Sequence, residues 1–260
     1  MLRIEDRTYG IRANSPKGMS FLKCLQSLIA PNNNEFINLY VYLAFAIYFW
    51  IQMFLIIFED SSYDFNNQYD YYYMFIITFG AVVSLTFTFF YYLLYPMSKE
   101  TRDLWSTINI MGLYTMIYCL TFAFICSEDA ATPLCFFLQF ITPCFLTAAL
   151  ILTSQGDICR EVAKWLTVGF TGFVFFVDLA FFSSRRQIRV FYVPVIIEGI
   201  FLAIGLTLWI LRIPERWCKD SKFVQIWANS DVFLSVFIVN FVFEIHSIMY
   251  YLLKANSNYL

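Results

Sequence analysis

The sequence predicts an all-α fold: a bundle of seven transmembrane helices, its N-terminus in the cytosol, with a short amphipathic helix on the inner membrane surface. Three observations predict it. Of 260 residues, 60% are hydrophobic and 14% charged, where a soluble domain carries roughly 45–50% and 25%. The apolar residues gather in seven runs, each close to the ~20 residues that cross the hydrocarbon core as a helix. The runs are apolar on all faces rather than alternating, which favours helices over a barrel.

Residues 1–36 are polar and mixed, and form a cytosolic segment. Within it, residues 17–30 set Phe21, Leu22, Leu25, Leu28 and Ile29 at helical spacing on one face, and Pro31 ends the pattern. The stretch is too short to span, so it is expected to lie on the inner membrane surface. No cleaved leader is expected; the first span serves as the targeting signal. The bundle then occupies residues 37–253, with spans at Ile37–Phe58, Tyr71–Tyr95, Leu104–Ile125, Leu134–Thr153, Val162–Phe182, Val190–Ile213 and Asn229–Leu253. Residues 254–260 form a short external or lumenal tail. Pro194 lies inside the sixth span and is expected to kink it.

Orientation follows from the basic residues. The 17 Lys and Arg split 13 to 4 in favour of the N-terminal side of the membrane, which places the N-terminus in the cytosol. The acidic loop Glu59–Asp70 on the other side agrees. Arg185, Arg186 and Arg189 fall on the wrong side, and nothing in the sequence explains them. A net charge of −2 gives no sign of a nucleic-acid partner. The seven cysteines show no metal-binding spacing; Cys126 and Cys135 flank one external loop and either pair or remain buried thiols.

Three motifs together resemble the progestin and adipoQ receptor (PAQR) family, which includes the adiponectin receptors. The first is Cys24-Leu25-Gln26-Ser27 with Asn34-Glu35-Phe36-Ile37-Asn38, similar to the family's C-x-x-S…N-E-T-x-N stretch before helix one. The second is Ser98 to Gly112, similar to its H-S-x(10)-D-Y-x-G bridge. The third, and the most specific, is Arg212-Ile213-Pro214-Glu215-Arg216 ahead of the last helix. The resemblance covers residues 24–250, and the spacing through helix seven looks closest to a Golgi-resident branch that traps Raf kinase.

The resemblance implies an intramembrane zinc site: one His on helix two, an H-x-x-x-H pair on helix seven, and an Asp on helix three beside the metal-bound water. It also implies ceramide hydrolysis. Aligned on the motifs, Tyr92 stands at the helix-two His, Asp231 and Ser235 at the helix-seven pair, and Asn109 at the helix-three Asp. None matches. The chain has a single His, His246, which lies roughly 22 Å along the helix from Asp231 at 1.5 Å per residue, too far to share one zinc with it. No metal or other cofactor is therefore expected.

Two polar groups remain within the spans. Tyr92, Asn109 and Asp231 share the cytosolic depth, and either form a remnant network, with Tyr92 and Asn109 donating to Asp231, or leave Asp231 as the cap of helix seven. Asp178, Glu198, Glu244 and His246 lie deeper, at broadly similar depth. Intramembrane ionisable residues cost at least about 2.5 kcal/mol each on insertion scales and mark pathways or buried partners. These four form either a polar cavity for a lipid headgroup or a proton, or separate structural contacts. Tyr91, Tyr92 and Tyr95 read as an interfacial belt.

The expectation is a receptor-like or scaffolding protein of the Golgi, other endomembranes or the plasma membrane. It would bind membrane lipid or a sterol within the bundle and a cytosolic protein on its basic face, without catalysis. The alternatives are a lipid-amide (ceramide) hydrolase with a degenerate site and a proton or small-solute transporter. The latter lacks any visible inverted repeat.

Overall fold

A computed structural model of the chain describes residues 20–26, 36–58, 68–126, 133–153, 170, 173, 176, 188–214, 216–217 and 230–257. Among these the structure is all helical, without strands. The helices are α1 (Phe21–Gln26), α2 (Phe36–Ile57), α3 (Gln68–Leu94), α4 (Lys99–Cys126), α5 (Pro133–Thr153), α6 (Val193–Leu211) and α7 (Ser230–Ser257). Five stretches are long and apolar enough to cross a membrane: Ile37–Ile57, Tyr69–Leu94, Lys99–Ala123, Arg189–Leu211 and Ser230–Lys254. α5 coincides with the fourth expected span. The fifth lies outside the described residues except for Phe170, Phe173 and Phe176, which are helical; Phe170 stacks on Phe145 of α5 at 4.3 Å.

α3 is the centre of the described bundle, packed against α1, α2, α4 and α7, with α5 beyond α4 and α6 beyond α7. Glycines permit the closest approaches. A Cβ on Gly80 of α3 would stand 2.8 Å from the Cys119 Cβ and 3.1 Å from the Met116 Cα. One on Gly112 of α4 would stand 3.2 Å from the Ser84 Cα. Without side chains at these points, the α3 and α4 backbones come within direct van der Waals reach, as small residues allow between membrane helices. This explains Gly112 in the second motif. Ser98 in the same motif caps α4: its Oγ accepts the Thr101 N–H at 3.1 Å, satisfying one of the free donors of the first turn.

In the sixth span Pro194 stands where the winding changes: it is the second residue of α6, directly after a π-helical turn at Ile188–Tyr192. Proline gives no N–H and its ring crowds the carbonyl four residues back; the wider π turn relieves both. The far end of α6 explains part of the third motif. Arg212 adopts φ 53°, its N–H bonds the Trp209 carbonyl at 3.2 Å, and the Ile213 N–H bonds the Leu208 carbonyl at 3.0 Å. This is a Schellman closure with Arg in the left-handed position usually given to Gly, and Pro214 follows it. The Arg216 N–H returns to the Arg212 carbonyl. Glu215 lies outside the described residues, as do Asn34 and Glu35 of the first motif and the side chains of Cys126 and Cys135.

Candidate functional site

The four residues that the resemblance sets at metal positions each have a local partner. Asp231, in the first turn of α7, accepts the Trp209 indole N–H on Oδ1 at 2.7 Å. Ser235, buried one turn on, donates its hydroxyl to the Asp231 carbonyl at 2.9 Å. Asn109 of α4 accepts from the Thr88 hydroxyl of α3 at 2.7 Å. Tyr92 stacks on Tyr42 of α2, centroids 5.4 Å apart and 15° from parallel, with Tyr91 edge-on at 5.3 Å.

The expected network, with Tyr92 and Asn109 donating to Asp231, is therefore not the one formed. Asp231 is turned toward the end of α6, where Trp209 offers a donor, and Asn109 is turned into the tight α3–α4 seam, where Thr88 is the facing polar group. The position of Asp231 also suits a cap, since a carboxylate in the first turn opposes the positive end of the helix dipole.

The deeper group divides as well. Glu198 of α6 accepts the Asn240 amide of α7 on Oε2 at 3.0 Å, and Glu244 stands near enough for its charge to act on Glu198. His246 is not with them. It is 4% exposed, its Nε2 lies 3.0 Å from Thr78 Oγ1, and its ring meets Phe49 edge-on at 5.2 Å. Thr78 spends its own hydrogen on the Met74 carbonyl at 2.7 Å, so His246 is the donor and carries its proton on Nε2. The physical reason for the split is helical geometry: Glu244 and His246 are two residues apart, roughly 200° around α7. One faces α6 while the other faces α2 and α3. Asp178 lies outside the described residues.

Three contacts align α6 with α7: Trp209 on Asp231, Gly205 under Phe237, and Glu198 on Asn240. Sequence reasoning missed Trp209, Asn240, Thr88 and Thr78. Asn240 carried a signal, because it stands four residues before Glu244 and shares its face. The other three are ordinary residues of apolar spans, and their partners are distant in sequence.

The donor set does not fit zinc. The metal needs at least three convergent imidazole, thiolate or carboxylate ligands. Of the four positions only Asp231 offers one, and it is engaged by Trp209. Among the described residues no three His, Cys, Asp or Glu gather.

In the first motif, Asn38 in the opening turn of α2 is 1% exposed, and its Oδ1 accepts no hydrogen bond among the described residues. The tyrosines at the end of α3 form an aromatic joint: Tyr91 also meets Tyr95 at 5.7 Å, and the Arg102 guanidinium of α4 lies 4.6 Å over the Tyr95 ring.

The family model described as haemolysin-III related matches residues 31–252 of this chain. No curated protein matches it.

Proposed function

Because the chain belongs to the haemolysin-III-related family, within the PAQR/HlyIII group, we propose that it is a receptor-like or scaffolding membrane protein without zinc-dependent hydrolysis. It takes lipid within its helix bundle and a protein partner on its basic, cytosolic face. The observation that carries the reading is the engagement of Asp231, Ser235 and Asn109 by Trp209, the α7 backbone and Thr88. A metal-activated water needs ligands free to converge on one ion; here Asp231 and Asn109 tie neighbouring helices together, and Ser235 bonds back along α7. The group's hydrolytic members are the natural comparison, and in this chain the polar groups at those positions serve packing.

The R-I-P-E-R turn supports the finer reading of a Golgi-resident protein that holds a signalling kinase, by resemblance alone. The transporter reading gains little, since Glu244, beside Glu198 of α6, and His246 lie on different faces of α7 and form no joined proton path among the described residues.

The test is elemental analysis of protein purified without chelators, combined with a ceramide-hydrolysis assay and lipidomics of what co-purifies. The expected result is no stoichiometric zinc, no fatty acid released, and one lipid class enriched over the membrane of origin. Zinc near one per chain with fatty-acid release overturns the non-catalytic reading. A co-purified lipid profile identical to the bulk membrane overturns lipid binding.

A further inference from the structure

One corner of the bundle has features that neither the bundle interior nor the seams explain. It is the end where α3 finishes, α4 begins, α2 begins and α1 docks. Cys24 of α1 is fully buried in a cluster with Leu39, Leu93 and Leu94, against which Trp105 packs. Leu94 is the last residue of one span and Lys99 the first of the next. The docking of Cys24 therefore fixes α1 at the depth where the hydrocarbon core gives way to headgroups.

At that depth α1 turns Phe21, Leu22 and Leu25 away from the protein, with Leu22 70% exposed. Exposed apolar side chains at the boundary are satisfied by burial about 5–10 Å into the headgroup and acyl layer. Cations accompany them. Lys23 is exposed on α1 and Lys99 on the first turn of α4. Arg102, one turn along from Lys99, lies over Tyr95, and its buried Nε has no hydrogen-bond acceptor among the described residues. Glu100 and Asp103 lie on the same turns, about 100° round α4 from the Lys99–Arg102 face.

We infer that this corner is a docking surface for anionic phospholipid headgroups of the adjoining leaflet. The α1 side chains sit among the upper acyl chains, and Lys23, Lys99 and Arg102 face the phosphates. Each Lys or Arg near an anionic surface favours it by about 1 kcal/mol, roughly five-fold. The inference stands apart from the proposed function, because it concerns the outer edge of the bundle and not its interior.

The experiment places the photo-cross-linker benzoylphenylalanine at Leu22, and in a second protein at Ile47, which faces outward from the middle of α2 and is 50% exposed. Both are reconstituted in nanodiscs of phosphatidylcholine with a minor share of phosphatidylglycerol, irradiated, and analysed by mass spectrometry. Position 22 is expected to form lipid adducts enriched several-fold in phosphatidylglycerol, and position 47 adducts that follow the bulk ratio. Lys23→Gln with Lys99→Gln, both exposed and harmless to packing, should remove the enrichment and keep the adducts. Arg102→Lys should retain most of it. Adducts at position 22 only to protein, or none, overturn the docking of α1 on lipid. Lipid adducts at the bulk ratio in the unsubstituted background overturn the headgroup site.

Discussion

Replacing Asp231 with Ala should destabilise the protein through one identifiable partner, Trp209. The bond is short, 2.7 Å from the indole nitrogen to Oδ1, and its acceptor is a carboxylate. Hydrogen bonds to charged groups contribute about 1.5–3 kcal/mol net. Trp209 is 40% exposed and Asp231 only half-buried, so solvent competition brings the expectation to the lower end, about 1–1.5 kcal/mol. Asp231→Ala also loses the carboxylate at the positive end of α7, about another 0.3–1 kcal/mol. Trp209→Phe keeps most of the ring packing and loses only the N–H. The double variant should thus show a coupling near 1 kcal/mol, whereas Asp231→Ala combined with Tyr92→Phe should be additive. Equilibrium unfolding in mixed micelles measures the wild type, the three single variants and the two double variants. Strict additivity with Trp209, or coupling with Tyr92 in its place, refutes the placement of Asp231 against α6.

Gly80→Ala puts a Cβ 2.8 Å from the Cys119 Cβ, with the Met116 backbone behind it, and should cost about 1–3 kcal/mol as overpacking. Gly199→Ala meets nothing within 4 Å and should stabilise α6 by about 0.5–1 kcal/mol; unfolding midpoints of the two variants should move in opposite directions. Thr78→Val removes the acceptor of the buried His246 N–H and should cost about 1–3 kcal/mol. Most of that should be recovered in the double variant with His246→Phe, as a double-mutant cycle will show. Burial raises the Cys24 thiol above its ordinary value of 9.0. Mass-spectrometric mapping after maleimide treatment at pH 8 should find Cys24 unmodified until the protein is denatured. With the folded pKa above the unfolded one, the contribution of Cys24 to stability is full below about pH 9 and falls as pH rises through the folded value. Unfolding midpoints measured from pH 7 to 10 should decline only at the alkaline end, and Cys24→Ala should flatten that decline.

Different parts of this protein were legible to different degrees. The positions of helices α2 to α7 could be read from apolar runs, because a membrane helix satisfies its backbone within its own segment and needs only length and hydropathy. The Ser98 cap and the Arg212–Pro214 turn were visible as family motifs, although their local roles were not. That the chain has a single His was legible by counting.

Polar partnerships were not legible in the same way. Tyr92, Asn109 and Asp231 were expected to share a depth, but depth leaves open the rotation of each helix about its axis. The α3–α4 seam, drawn tight at Gly80 and Gly112, turns Asn109 to Thr88. The α6–α7 register brings Trp209 to Asp231. Glu244 and His246, grouped by depth, part to opposite sides of one helix. The sequence by itself determined the helical, apolar architecture and the single His, since both depend on residues counted or read locally. Only the tertiary structure decided which polar groups meet, because a meeting between helices depends on rotation and register, and those are set by packing along their whole length.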